Sequence, residues 1–258
     1  MNQSEVLENF AKAITPIGRT LMICQTGSFA YGLNTPESDH DFRGVFLPKA
    51  TYLYGLKTIE QQKVSGDDSV SHSLRQYCLL VGKQNPTVLE TLFIEPLFID
   101  PDFAALREEL RKLINKNVFK PYSAYVQSQL KKAQFRQPCE KRKDLIEKYG
   151  YDVKFMSHVA RLAHQGAYLL RTGVIPVKLD GAIKDLVMSI KTGAVDFKTA
   201  VDICTQMDVD LHTAYTESKL PESVDYEKFE RDFYLPYILR EITGMRLNNY
   251  LTSIMLNR

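Results

Sequence analysis

Three features common in other protein classes are missing from this 258-residue sequence. No apolar run approaches the roughly 20 residues that a membrane-spanning helix needs. The first residues, Met-Asn-Gln-Ser-Glu, lack the basic and apolar regions of a secretory signal. The cysteines show no zinc-like spacing and are scattered at Cys24, Cys78, Cys139 and Cys204. We therefore expect a cytoplasmic protein with free thiols and no membrane partner.

The order of the predicted elements indicates the fold class. Strands and short helices come first and helices follow, with no internal repeat or low-complexity tract. This pattern predicts an α+β fold with an all-helical C-terminal part. We place the boundary near residue 115, which gives a catalytic domain over 1–115 and a helical domain over 116–258 that completes a cleft.

Periodicity and turn residues place the individual elements. A helix capped by Ser4 should end before Pro16, and strands are predicted over 20–25 and 39–47. Residues 57–66 read as a polar connection, with a short third strand predicted within 67–72 and a strand fragment at 97–99. Later helices are predicted over 73–85, 87–93, 102–113, 121–134, 152–171, 179–191, 197–207 and 226–248.

The stretch 20–47 carries the clearest chemical pattern. Asp39 and Asp41 open the predicted second strand, and because side chains alternate along a strand, both should project to one side and His40 to the other. A rise of ~3.3 Å per residue sets the carboxylates about 6–7 Å apart, which suits one or two hard divalent cations. The preceding turn at Gly27 and Ser28 offers backbone N–H groups and a hydroxyl to phosphate oxygens. Together these features predict a site for a metal–nucleotide complex.

The same residues resemble a known signature. A Gly27-Ser28 pair ahead of Asp39-x-Asp41 resembles the DNA polymerase beta nucleotidyltransferase superfamily, in which a Gly-Ser at a strand end precedes paired acids on the next strand. The longer strings at 27–32 and 38–44 look like the predicted, RNA-ligase-associated nucleotidyltransferases of bacteria and phages. Blocks within 68–90 and 149–162 are also similar to that branch, so the likeness covers most of residues 20–235.

The resemblance implies a small mixed nucleotidyltransferase sheet flanked by helices, and a reaction that depends on Mg²⁺ or Mn²⁺. It implies that Asp39 and Asp41 bind the metal, and that Gly27 and Ser28 hold the phosphates of a nucleoside triphosphate (NTP), for example ATP. By itself an Asp-x-Asp can be a solvent-facing strand edge, and a Gly-Ser an ordinary turn. The two motifs support each other.

Members of the superfamily usually supply a third carboxylate from a neighbouring strand, and Asp68 has the matching position. Asp67 would face the other way, so we prefer Asp68 as the third catalytic and metal-binding acid. Arg43, on the same face as the second acid, would meet a phosphate or pair with that acid, and we include it among the NTP-binding residues. Asn85 and Glu90 read as cap and packing residues and are left out of the site.

Lys154, His158 and Arg161 fall at i, i+4 and i+7 and form one stripe of the predicted helix 152–171. The helix is otherwise largely apolar, so core packing explains a cationic stripe poorly. We predict that the three side chains bind a triphosphate or a nucleic-acid phosphate. The alternatives are a stripe paired with surface carboxylates and, for His158, a structural histidine. Asp152 reads equally well as a helix cap.

A basic segment over 115–143 bears on the partner. It holds eight lysines and arginines against one glutamate, with Tyr122, Tyr125 and Phe135 interleaved. Such a stretch could follow a polyphosphate backbone, which favours an RNA or tRNA partner. A solvated helix face explains the charge equally well.

The resulting hypothesis is transfer of a nucleoside monophosphate from an NTP to a hydroxyl, with release of pyrophosphate. An RNA or tRNA end, a protein side chain and a small molecule stay open as acceptors, as do the NTP base and the oligomeric state. The competing hypotheses are a non-catalytic nucleotide-binding or regulatory (antitoxin-like) module of the same fold and, more weakly, a metal-dependent phosphohydrolase. Clustered acids beside an intact Gly-Ser favour an enzyme.

Overall fold

The computed structural model describes residues 2–64, 69–134, 143–241 and 243–244. Its N-terminal part confirms the α+β class. The strands are β1 (Gly18–Thr26), β2 (Asp41–Pro48), β3 (Gln61–Lys63), β4 (Val70–Ser73) and β5 (Phe98–Ile99). The helices of this part are α1 (Gln3–Ile14), α2 (Gly27–Tyr31), α3 (Ala50–Leu53), α4 (Leu74–Gly82), α5 (Pro86–Leu89) and α6 (Pro101–Arg111), and a 3₁₀ turn at Glu90–Leu92 follows α5.

The five strands form one mixed sheet in the order β3-β4-β2-β1-β5. β1 pairs antiparallel with β2 from Gly18↔Pro48 to Thr26↔Asp41, and antiparallel with β5 on its other side. β4 runs parallel to β2, with Arg43 opposite Val70, and β3 pairs antiparallel with β4. The predicted small mixed sheet is confirmed.

The rest of the chain is helical. A 3₁₀ turn at Lys116–Val118 leads into α7 (Phe119–Gln134), followed by α8 (Lys143–Tyr149), α9 (Val153–Thr172), α10 (Gly181–Lys191), α11 (Phe197–Glu217) and α12 (Tyr226–Phe229). A π-helical turn at Glu230–Tyr234 continues into helix over 235–241. α9 is the centre of this part, because α7, α10 and α11 all pack on it.

The sheet has two differently covered faces. On one face, α1 buries Val6 and Phe10 against Ile23 and Phe42. On the other face lies a single large core that joins strand residues such as Val45 to residues of α9 and α11. This core is continuous across residue 115, and the division into two domains there stays a prediction.

Several predicted boundaries are corrected. The cap of α1 is Asn2 rather than Ser4, since the Asn2 side chain accepts from the N–H of Glu5 at 2.8 Å. β3 lies in the segment expected to be a polar connection, because an edge strand with exposed ends shows no apolar alternation. α8 was not predicted. α11 extends ten residues beyond the predicted end at 207, since Leu211 and Ala214 continue its buried face.

The sequence predicted free cysteine thiols and no membrane-spanning helix. In the described ranges, none of the helices combines the length and apolarity that crossing a bilayer demands. Cys24, Cys78 and Cys204 are free and buried, and burial raises the pKa of the Cys24 and Cys204 thiols to about 12. Cys139 lies outside the described residues.

Candidate functional site

The Gly-Ser motif and the second acid form one structural unit. β1 ends at Thr26, opposite Asp41 in the register, and the chain turns at once into the single-turn helix α2. Gly27 makes this turn at φ +67°, a conformation that residues with a side chain rarely adopt. A methyl group on Gly27 would overlap the carboxylate of Asp41 and lie 3.1 Å from its Cγ. Only glycine lets the acid lie directly over the start of α2.

The predicted turn between the strands is therefore a short helix followed by a loop. Gly32 closes α2 at φ +68°, with its N–H directed to the carbonyl of Phe29 at 3.3 Å. Ser28, in the first turn of α2, is partly exposed. Ser28 thus stands at the end of β1 that pairs with Asp41, and its role in phosphate binding stays a prediction.

The two acids do not share one strand. β2 begins at Asp41, so Asp39 lies two residues before it and is exposed. The reason is that β1 has already turned into α2 at Gly27, which leaves residues 39 and 40 without a strand partner. The predicted start of the strand at Asp39 is wrong, and the same-side placement of Asp39 and Asp41 stays a prediction.

His40 packs against α2, and its placement on the side opposite the acids stays a prediction. Its ring stacks on Phe29 of α2, with centroids 4.1 Å apart and planes 15° apart. Its Nδ1 lies 3.0 Å from Nε2 of Gln25, at the end of β1. These two contacts hold the loop before β2 against α2. They thereby position the segment that carries Asp39 and leads to Asp41.

The third acid lies outside the described residues, as does Asp67. The first described residue after Asp68 is Ser69, and its Oγ accepts from the N–H of Phe42 at 3.3 Å. Among the residues that the structure describes, no three His, Cys, Asp or Glu side chains come together as a metal site. The assignment of Asp68 stays a prediction.

Arg43 faces the large core side of the sheet, with Val45. It borders a small cavity together with His72 and Thr91. Burial and then the charge of Arg43 lower the pKa of His72, so the histidine is biased toward its neutral form.

The three residues of the predicted stripe on α9 differ in solvent exposure. Lys154 is exposed, His158 is half-buried and the Arg161 side chain is only 3% exposed. Asp152 caps the helix by accepting from the N–H of Phe155 at 2.9 Å, which confirms its reading as a cap. Of the three stripe residues, Lys154 alone is open to solvent.

Arg161 belongs to a buried polar network that the sequence analysis missed. Its partner is Glu90, 3% exposed, with Nη1 to Oε2 at 3.5 Å. The hydroxyl of Tyr31, the last residue of α2, donates to the same carboxylate with distances of 2.9 and 3.0 Å to its two oxygens. The Arg161 guanidinium also stacks on the Tyr31 ring, 3.7 Å from its centroid. Glu90 is the C-cap residue of α5 and is buried, as expected, and its carboxylate in addition joins α2 to α9.

Arg161 makes two further contacts with residues of α9. Nη1 lies 2.6 Å from Oε1 of Gln165, and Nη2 lies 2.9 Å from Nδ1 of His158. Burial raises the pKa of Glu90 more than Arg161 lowers it, and burial likewise raises the pKa of the Tyr31 hydroxyl. Arg161 is thus a buried link in this structure, and direct phosphate binding by it stays a prediction.

The tyrosines of the basic segment that the structure describes turn toward the protein interior. Tyr122 is 1% exposed and packs in the core, and Tyr125 turns its ring edge to His158 with centroids 5.1 Å apart. Lys120, Lys131 and Lys132 occupy the exposed side of α7. Phe135 lies outside the described residues. The described part of the segment is a solvated helix face with its aromatics turned inward.

The comparisons with known proteins decide the family. The profile of the RNA repair pathway DNA polymerase beta family matches residues 2–196. This chain belongs to that family. The resemblance found in the sequence is confirmed, and the protein is of the nucleotidyltransferase-like, DNA polymerase beta type.

Two further similarities are weaker than the match to the family. The uncharacterized protein YcgL of Bacillus subtilis (strain 168) is 28% identical over 132 residues, which is 49% of this chain and 50% of YcgL. The chain thus matches about half the length of that curated relative. A crystal structure of a nucleotidyltransferase-like protein from Exiguobacterium sibiricum is similar with a TM-score of 0.31 and 12% identity, over 83% of this chain and 74% of that one.

One feature of the sequence could have identified Glu90 as a buried, partnered acid. It stands in the apolar run Val-Leu-Glu-Thr-Leu at 88–92, and a lone acid in such a run is buried with a partner or not tolerated. Its partners Tyr31 and Arg161 are 59 and 71 residues away in sequence. No local pattern identifies them.

Proposed function

We propose that the protein is a divalent-metal-dependent nucleotidyltransferase that moves a nucleoside monophosphate from an NTP to a hydroxyl and releases pyrophosphate. The observation that carries the proposal is the fit of Gly27 under the carboxylate of Asp41, in a chain of the DNA polymerase beta type. The glycine lets the carboxylate lie against the backbone at the start of α2. It is what a site needs if phosphate and metal are to meet there.

The residues present suit Mg²⁺ or Mn²⁺. Asp39 and Asp41 offer hard oxygen donors, and Asp68 is proposed as the third ligand. When bound, such ions lower the pKa of an attacking hydroxyl and neutralise the charge of the leaving pyrophosphate. Because Gly27 has no Cβ, the Asp41 carboxylate lies against the start of α2, so a metal held by Asp41 would lie beside the backbone N–H groups proposed to bind phosphate.

The phosphate-binding groups are proposed from both parts of the chain. Ser28 and the N–H groups after Gly27 supply neutral donors, and Lys154 supplies an open positive charge. Arg43 and His158 are proposed to face the same anion. We propose that Arg161 acts on it through His158, whose Nδ1 it holds at 2.9 Å.

The helical part is proposed to complete the cleft. The segment after α9 lies on α2, because the N–H of Leu179 donates to the carbonyl of Tyr31 at 3.0 Å. Together with the stacking of Arg161 on Tyr31, this contact sets α9 beside the Gly-Ser motif. The NTP would then bind between the acids on the sheet and the cations on the helices.

We propose an RNA or tRNA end as the acceptor. The family name refers to an RNA repair pathway, and the exposed lysines of α7 offer contacts to a phosphate backbone. Proteins and small molecules are tested as acceptors in the same experiment.

The test is incubation of the purified chain with each labelled NTP, Mg²⁺ or Mn²⁺, and separate RNA, protein and metabolite fractions. Label should enter one fraction, with release of pyrophosphate. Asp39→Asn combined with Asp41→Asn should abolish labelling, whereas Asp202→Asn, which removes an exposed acid of α11, should not change it. Undiminished labelling by the double variant would overturn the proposal. Release of phosphate in place of pyrophosphate would indicate a hydrolase, and NTP binding without turnover would indicate the non-catalytic module.

A further inference from the structure

Three lysines from the helical part converge on the end of the Gly-Ser helix. Lys191, the last residue of α10, donates through Nζ to the carbonyl of Leu33. Lys178 lies over Gly32, since a Cβ on that glycine would be 3.5 Å from Cγ of Lys178. Lys154 lies on the same face of α9 as Arg161, about two turns away, and Arg161 stacks on Tyr31 at the end of α2.

The lysine cluster, Lys154, Lys178 and Lys191, is not neutralised. Among the residues that the structure describes, no carboxylate lies within ion-pair distance of any of the three. Burial, and then the charge of Lys154, lower the pKa of Lys191. Like charges brought together from separate elements repel each other, so an anion bound among them would stabilise the arrangement.

The position of the cluster indicates its ligand. Leu33 is two residues past the end of α2, and Tyr31 at that end is tied to the helical part by Leu179. The cluster therefore borders the same short helix whose first residues are proposed to bind phosphate. An anion with charge spread along a chain fits this arrangement better than a single carboxylate does.

We propose that Lys191, with Lys154 and Lys178, binds the phosphate chain of the NTP. This rests on the proposed function, and assigns Lys191 and Lys178 as phosphate-binding residues beyond the Gly-Ser motif. The carbonyl of Leu33 holds the Lys191 ammonium in position, and two of its three N–H donors stay available for phosphate oxygens. Lys154 and Lys178 are exposed and bind the distal oxygens.

The test measures binding without turnover, in the absence of divalent ions. The probes are ATP, GTP, their nucleosides and inorganic tripolyphosphate, and the method is isothermal titration calorimetry. Lys191→Met and Lys154→Met should each raise the Kd for NTP and tripolyphosphate about tenfold or more, and leave nucleoside binding unchanged. Lys191→Arg should restore most of the affinity. Lys12→Met, which removes an exposed lysine of α1, is the matched control and should change neither.

The outcomes separate this inference from the proposed function. If the wild type binds NTP and both methionine variants bind it equally well, the lysine cluster has no such role, although the function stands. If Lys191→Met weakens nucleoside and NTP binding alike, Lys191 has only a structural role. Lys154→Met guards against that ambiguity, because Lys154 is exposed and its side chain can be changed without disturbing the core. If the wild type binds NTP only when Mg²⁺ is added, the inference fails and the function stands; if it binds none with Mg²⁺ either, both proposals fail.

Discussion

Replacing Arg161 by methionine removes one partner of a buried ion pair and leaves the other. Glu90 would keep the hydroxyl of Tyr31, which donates to it at 2.9 Å, but would lose its contact with the Arg161 guanidinium. Methionine fills most of the volume of the arginine stem, so the change tests charge more than packing. We expect the free energy of unfolding to fall by about 3–5 kcal/mol, the usual cost of leaving one member of a buried pair uncompensated. That is a large part of the ~5–15 kcal/mol that stabilises a typical domain.

The loss should depend on pH with a definite sign. Burial already raises the pKa of Glu90, and removal of Arg161 raises it further. The folded chain then holds a proton that the unfolded chain releases above the ordinary glutamate pKa of about 4.3. Stability therefore falls as pH rises from that value toward the folded pKa, and stays low above it. The deficit of Arg161→Met relative to wild type should be smaller at about pH 5 than at about pH 8.

The assay is urea denaturation followed by far-UV circular dichroism, because the chain has no tryptophan to report unfolding. Arg161→Met combined with Glu90→Gln removes both charges, and should recover part of the stability and lose the added pH dependence. A deficit under ~1 kcal/mol that is equal at both pH values would refute the reasoning, since Glu90 would then be solvated or paired elsewhere.

Three further changes test single contacts. Gly27→Ala should abolish labelling because it displaces the Asp41 carboxylate, and should lower the free energy of unfolding by only about 1 kcal/mol because it strains a left-handed residue. Labelling activity and the urea midpoint of the same preparation check this. Tyr31→Phe removes the hydroxyl that donates to Glu90 and should cost about 1.5–3 kcal/mol in the same urea assay. Asn85→Ala removes the cap of α5 and should cost about 1 kcal/mol without changing NTP affinity, which calorimetry would show.

The features that local patterns encode were predictable. The antiparallel pair β1–β2 follows from two runs of strand residues around a turn, and Asp152 was recognised as a cap because capping depends on residues three positions away. The Gly27-Ser28 motif could be placed at a strand end for the same reason. Its short helix was missed, since a single turn of helix and a tight turn share the same small residues.

The features that depend on distant contacts were not predictable. Glu90 and Lys191 take their roles from α2, which no spacing along the chain reveals. Arg161 was singled out correctly as an unusual cation on an apolar helix, but its depth depends on a carboxylate from another element. Hydrophobic periodicity in the sequence could not show which polar residues are buried.

The bond from Lys191 to the carbonyl of Leu33 joins residues 158 positions apart. During synthesis, β1, α2 and β2 leave the ribosome long before α10 does, and their local pairing can form early. A nascent chain at that stage would carry Asp41 beside the Gly-Ser helix but none of the lysines proposed to bind phosphate. Capture of cellular NTP by the growing chain is therefore expected only once the end of α10 has emerged.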